Sequence, residues 1–387
     1  MPRFTMPRDV YFGRDSTELL AQLRGKRAVI VIAGDGQKQG GSIQRVENAL
    51  KRTGMELRLV RSAWPQHPGQ AAGEGAGQML EFEPDWIVAL GSAAIDAAKI
   101  MWILYEYPEA TLKDLRIPFS LPSLRRKARF AAVSVLDGGV SAVSAFAAVE
   151  GSREQGAWHA ADYDIVPDIV VADPELSAVL AAETIAQAGM TVLAHGVGSM
   201  SAHQNGPFAE AYAQRAAELV LRHLGEACAQ DGPAREQIHY AQCLAGLALS
   251  NTQAGLVCAL ARQAAGVFPQ LRGYGGAVNS ILLPHVIRFN SEDREIRAAF
   301  GRVARMLGIR SRLDQQAAEA LAQGVENLAV SVGLPHTLQH LGIDEEAFQA
   351  RVHMAAVRTA ADLWVRENLR PVSAAVAERL LRQAFGE

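Results

Sequence analysis

Thr191 and His195 stand four residues apart in an apolar stretch of helical period, which places a hydroxyl and an imidazole on one face. Such a pair can polarise a small oxygenated substrate, or His195 can be a hydrogen-bonded core histidine. A catalytic metal needs about three protein ligands, and threonine is a poor one. His203 follows about two turns on, near the same face. His336 and His340 are also four apart, but Pro335 precedes them and no nearby carboxylate completes a set, so they read as surface histidines. No HExxH occurs. Cys258 reads first as a buried, inert cysteine; Arg262 one helical turn on, a cation that favours the thiolate, gives the competing reading.

Two turns could hold a phosphate. Gly91-Ser92-Ala93-Ala94 opens a helical stretch that carries Asp96 and Lys99, and backbone N–H groups at a helix start bind anions. A plain structural turn is the alternative, because phosphate loops usually carry several glycines. Leu136-Asp137-Gly138-Gly139 is a second glycine turn after an apolar run, either lining the same cleft or a simple loop. Asn279–Asn290 reads as a buried helix bent by Pro284.

The elements that must position these residues change character along the chain. Arg27–Ala33, Glu56–Val60, Asp85–Leu90 and Ala128–Val135 are short apolar runs of strand type. Helical spacing over Ser42–Thr53, Gln70–Phe82 and Ile95–Tyr105 separates them. This alternation predicts an α/β fold with a Rossmann-like parallel sheet over residues 1–180. β-Branched runs almost vanish afterwards. Glu183–Ser201, Pro207–Leu224, Ala234–Gln263, Arg294–Leu307, Gln315–Val332, Glu345–Leu363 and Ser373–Phe385 predict an all-helical domain over 181–387. The cleft between the two is the expected binding site.

Composition narrows the function classes. A net charge of −3 over 387 residues gives no footprint for nucleic acid. The uncharged run Gln237–Ala261 carries Ser250, Asn251, Thr252 and Gln253, which suits a buried helix better than a membrane span. The N-terminal residues lack the apolar stretch of a secretory signal, so a cytoplasmic protein is expected. Three cysteines without CxxC spacing argue against a disulfide scaffold or zinc ribbon. The six lysines all lie at or before Lys127, so a Schiff base in the later two-thirds is excluded.

The order of pieces resembles the iron-containing, NAD(P)-dependent alcohol dehydrogenases over nearly the full length, and their bacterial ethanol/butanol branch in particular. The pieces are Phe4–Gly13, Phe82–Gly91, Asp96-Ala97-Ala98-Lys99, Tyr105–Glu109, Val171–Leu176, Gly189-Met190, His239–Gly246, Ser250-Asn251 and Ile281-Leu282-Leu283-Pro284-His285. The resemblance implies a cleft holding NAD(P), a divalent metal and a small alcohol or aldehyde, often in a homodimer. It also implies that the metal ligands are one Asp and three His. The Asp of the Gly-Met-Asp-Ala-Leu-Thr-His stretch is Thr191 here, and His195 remains. The His expected after Gly255-Leu256-Val257 is Cys258, the His near the nicotinamide is Arg262, and the last ligand position falls on Gly275. The glycine loop is shortened to Gly91–Ala94, the Thr-rich turn is Val135–Gly139 without Thr, and a lysine near Gly156–His159 is missing.

Two readings follow. The first is a divergent NAD(P)-dependent oxidoreductase without tightly bound iron or zinc, with Arg262 or His195 in the metal's place as electrophile. Its cofactor residues would be Gly34, Gly91, Ser92, Asp96 and Gly138, with Asp35 in reach of a ribose hydroxyl or Gly34 leaving room for a 2′-phosphate. The second is a non-catalytic paralogue that keeps the dimeric scaffold as a binding protein; different chemistry in the same cleft is a third, minor one.

Overall fold

Apolar runs with uncharged centres become buried strands wherever both faces of the sheet are covered. The computed structural model, which describes residues 3–34, 40–64, 67–150, 157–203, 205–253 and 255–387, shows this in its first half. The order there is β1 (Asp9–Phe12), β2 (Arg27–Ala33), α1 (Gly40–Lys51), β3 (Glu56–Ser62), α2 (Pro68–Phe82), β4 (Trp86–Leu90), α3 (Ser92–Glu106), β5 (Arg129–Val133), β6 (Phe146–Val149), β7 (Trp158–Ala161) and β8 (Ile169–Ala172). Six strands form a parallel sheet in the order β1-β8-β5-β4-β2-β3, while β6 and β7 pair as a separate antiparallel ribbon. Register is set in the middle of the sheet by Ala28 opposite Trp86 and Val88 opposite Ala131.

Alternate residues feed the two faces. Ala28, Ile30 and Ile32 join Trp86, Val88, Leu90, Ala131 and Val133 in one core, which Leu20, Val46 and Leu50 close. Val29, Val31, Ile87, Ala89 and Phe130 are equally buried on the other face. Each Val, Leu, Ile or Phe side chain among them contributes roughly 1.5–3 kcal/mol on leaving water, which makes the sheet a rigid platform for the loops at its strand ends. The strand order reverses between β2 and β4, and ligands of open parallel sheets bind outside the C-terminal strand ends at such a point.

The second half is helical: α4 (Ala182–Ser199), α5 (Pro207–Cys228), α6 (Gly232–Thr252), α7 (Leu256–Val267), α8 (Gly275–Asn290), α9 (Arg294–Met306), α10 (Asp314–Ser331), α11 (Glu345–Ala360), α12 (Leu363–Arg366) and α13 (Ala374–Phe385). Contacts divide the chain into two units. Leu180–Glu387 with two short earlier segments forms one, and Thr5–Ser152 with Trp158–Val179 forms the other. Among the described residues no single helix is long and apolar enough to cross a membrane.

Two long helices expected from the sequence are each broken. Ala234–Gln263 divides into α6 and α7, bent by 93°, with Gln253 in the left-handed region at φ 55°. Glu345–Leu363 ends as α11, and Asp362 then caps the short α12 through its contact with the Trp364 N–H. His203 lies beyond the end of α4, where its N–H donates to the Glu367 carbonyl, so it does not share the Thr191–His195 face.

Candidate active site

Two constellations carry the polar chemistry, one in each unit. The first lies at the strand ends. Gly34 follows β2 at φ 61°, and among the described residues a side chain there would meet no atom within 4 Å. Gly91 follows β4 at φ 81° and caps α3, a backbone that an L side chain adopts only with strain. Glycine offers no capping group, so the first N–H groups of α3 need a partner from elsewhere. Asp137 supplies it. The Ser92 N–H donates to Oδ2 at 2.7 Å, the Ser92 hydroxyl to Oδ1 at 2.7 Å, and the Gly139 N–H to Oδ1 at 3.0 Å. Gly138 turns the chain between them at φ 82°. Protein packed around the Asp137 carboxyl pushes its pKa up, against the lowering by the Ser92 and Gly139 donors, yet the residue is exposed to solvent.

One turn along α3, Asp96 points inward rather than toward a ligand. It is 7% exposed, and its carboxyl faces Ser141, Lys99 and the backbone at Ala148. Burial pushes the Asp96 pKa up and the Lys99 pKa down, and their attraction opposes both shifts. Lys99 donates to the carbonyls of Ser141, Ser144 and Phe146 at 2.7, 2.6 and 2.8 Å. Three acceptors require three N–H donors, so the geometry is that of an ammonium. This buried pair holds the segment after Gly139 against α3. Gly34, Gly91, Ser92 and Gly138 thus end at strand-end turns, and Asp96 stands behind them. Asp35 lies outside the described residues.

The second constellation joins α4, α7, α8 and α12. The break at Gln253 turns α7 so that the Cys258 Sγ lies 3.4 Å from the His195 Nδ1, with the His195 ring edge-on to Trp364 at 6.0 Å. Arg262, one turn on, donates to the Asp362 Oδ2 at 2.5 Å and lies over the Trp364 ring at 5.0 Å. Gln263 donates to the same Asp362 oxygen at 2.8 Å. Burial, and secondarily the Arg262 charge, lowers the His195 pKa to about 4. Burial pushes the Cys258 thiol up to about 12; Arg262 pulls it down and Asp362 pushes it back. Of the two readings of Cys258, the buried, inert cysteine fits: the contact is a neutral thiol beside a neutral imidazole. The cation beside Cys258 has its own carboxylate, and desolvation outweighs what attraction remains.

Thr191 is committed as well. Its hydroxyl donates to the Gln187 carbonyl at 3.0 Å and accepts from the Asn279 Nδ2 at 3.2 Å. The Asn279 Oδ1 is buried with no partner among the described residues. Gly275 is the first residue of α8 rather than part of the preceding loop, and a side chain there would meet no atom within 4 Å. A Cβ on Gly276 would sit 2.2 Å from the Gln187 oxygen, so α8 begins in direct contact with α4. Among the described residues no group of three or more His, Cys, Asp or Glu side chains is placed to hold a metal. A protonated thiol, an engaged threonine hydroxyl and one imidazole do not fit the donor set of a catalytic iron or zinc. Sequence reading did not single out Asp362, Trp364 or the Asn279 amide; the signal for Asp362 was its position as a capping residue before Leu-Trp-Val.

Comparison with known proteins places this arrangement. Residues 7–174 match the sequence model "Iron-containing alcohol dehydrogenase", and residues 185–385 match "Fe-containing alcohol dehydrogenase family, C-terminal". The chain belongs to the iron-containing alcohol dehydrogenase family. It is 36% identical over 374 residues to the NADPH-dependent butanol dehydrogenase of Clostridium saccharobutylicum, covering 96% of this chain and 95% of that one. An iron-containing alcohol dehydrogenase from Thermococcus thioreducens superposes with a TM-score of 0.88 at 27% identity, over 100% of both chains. A 1,3-propanediol oxidoreductase shares the fold, with a TM-score of 0.91 at 24% identity over 100% of both chains. Membership of this family makes the chain an alcohol dehydrogenase-like oxidoreductase.

Proposed function

We propose that this family member interconverts a small aldehyde and its alcohol with NAD(P)H, without tightly bound iron or zinc, and that Arg262 takes the place of the metal as electrophile. The observation that carries this reading is the Arg262–Asp362–Trp364 arrangement one turn from the Cys258–His195 contact. A reduced nicotinamide, when bound, supplies the hydride. The glycine turn at Gly34 after β2 and the turns at Gly91, Ser92 and Gly138 are the features of this chain that suit its nucleotide. NADPH is taken as the donor because the 36%-identical relative is named for it.

In this reading Arg262 draws electron density from the carbonyl oxygen as the hydride reaches the carbonyl carbon. Asp362, Gln263 and Trp364 fix the guanidinium plane. His195 is neutral well below neutral pH and cannot give up a proton as an imidazolium, so the oxygen takes its proton from water. His195 and Cys258 shape the floor. Purified protein should oxidise NADPH in the presence of a short aliphatic aldehyde, keep that activity after treatment with a chelator, and carry well under one equivalent of iron or zinc. Arg262→Met should abolish it. Stoichiometric metal, or loss of activity with the chelator, would overturn the metal-free reading. Absence of NADPH binding would favour the non-catalytic paralogue.

A further inference from the structure

A nucleotide phosphate at the start of α3 would need the same N–H groups that the Asp137 carboxylate already holds. Both carboxylate oxygens are used, by the Ser92 N–H and hydroxyl and by the Gly139 N–H. A Cβ on Gly139 would lie 2.0 Å from the Ser92 hydroxyl, so the Asp137 turn is clamped directly on the helix start. The positive end of a 15-residue helix favours one anion there, and here that anion belongs to the chain. A second observation concerns the same helix face. Asp96, one turn along, is buried with its Oδ1 unpartnered among the described residues, and the Asp137 charge acts on it. The compensating Lys99 is wholly buried and spends its donors on backbone carbonyls. An incoming phosphate at the Ser92 N–H therefore meets the Asp137 carboxylate already in place, with the buried Asp96 carboxyl behind it.

We propose that Asp137 is a built-in competitor for the cofactor's phosphate, which weakens nucleotide binding until its side chain leaves the α3 terminus. This rests on the nucleotide-binding reading above. The carboxylate and the phosphate are exclusive occupants: each accepts from the Ser92 N–H, and placing both there brings like charges into contact. Neutralising the side chain removes the repulsion while keeping its size and most of its hydrogen bonds.

The test is calorimetric titration of wild type, Asp137→Asn and Asp137→Glu with NADPH, and with nicotinamide riboside, which has no phosphate. Circular dichroism shows that each protein is folded. Asp137→Asn should tighten NADPH by about tenfold, the scale of one hydrogen bond to a charged group. Asp137→Glu, which keeps the charge, should bring no gain, and riboside binding should not change. Equal NADPH affinity in wild type and Asp137→Asn overturns the proposal and leaves the nucleotide reading in place. So does an equal gain from Asn and Glu, or a gain for the riboside as large as for NADPH, because either makes the effect one of loop structure. If none of the three folded proteins binds NADPH, both the proposal and the nucleotide reading fall.

Discussion

At the strand ends an exposed carboxylate keeps its donors by hydrogen bonding to backbone, whereas between α4 and α7 a thiol and an imidazole are buried and both are neutral. Asp137 is exposed to solvent, whereas His195 and Cys258 are buried. At His195 and Cys258 desolvation decides the protonation states, and the neighbouring cation, Arg262, is balanced by Asp362. At the strand ends the obligation of a helix terminus to find an acceptor decides where Asp137 sits. The difference is between a region where burial sets the charge states and one where a helix terminus fixes a carboxylate in place.

The largest expected effect is in the buried region. Arg262→Ala takes the cation from the Asp362 carboxylate, 4% exposed in its side chain, which still accepts from the Gln263 amide and the Trp364 N–H. Breaking such a pair should cost about 3 kcal/mol by urea unfolding. Adding Asp362→Asn should recover much of that, since no charge is then left unpaired. A double variant as unstable as the single one would show that Arg262 matters there as packing over Trp364, not as a charge.

The next effect is a pH window. The His195 pKa is about 4 in the folded chain against 6.5 ordinarily, so below pH 6.5 the unfolded chain takes up a proton that the native one refuses. Stability from this group is full above 6.5 and falls as pH drops toward 4, by about 3 kcal/mol at 1.36 kcal/mol per unit. Cys258 works in the opposite direction. Its thiol is raised from 9.0 to about 12, so its contribution is full below 9 and is lost as pH rises toward 12. His195→Asn should flatten the acid limb alone, and Cys258→Ala the alkaline limb alone, in urea midpoints measured across pH. If either variant leaves its limb unchanged, that group is not buried and neutral in the native state.

Four of the six parallel strands were legible because they are short apolar runs: Arg27–Ala33 lies where the residue pattern puts it, and Glu56–Val60 extends to Ser62; the four-residue edge strand Asp9–Phe12 and its neighbour Ile169–Ala172 were not read as strands. The helical character of the second half was legible for the same reason. The helix breaks were not. Gln-Ala-Gly is weak punctuation, and only the packed structure holds Gln253 in the left-handed region. The Arg262–Asp362 and Ser92–Asp137 pairs, 100 and 45 residues apart, leave no local trace. Cys258 shows why the neighbouring cation does not decide the state of a thiol. Arg262 one turn away suggests a thiolate, and what reverses this is burial together with a carboxylate that arrives from beyond α11.

The smallest effect returns to the exposed region. Asp137→Ala removes the acceptor for the Ser92 N–H and hydroxyl and the Gly139 N–H, and α3 has no capping side chain of its own. A buried helix start would lose several kilocalories. Here the position is exposed, so water can replace the carboxylate, and the cost should be that of an ordinary lost cap, about 1 kcal/mol. Asp137→Asn retains an acceptor and should cost less, so stability and NADPH affinity should move independently across the two variants. The measurement is the urea midpoint of each against wild type. A loss near that of Arg262→Ala would mean that Asp137 is a structural keystone rather than an exposed anion. The contrast between a region ruled by desolvation and one ruled by a helix terminus would then have to be given up.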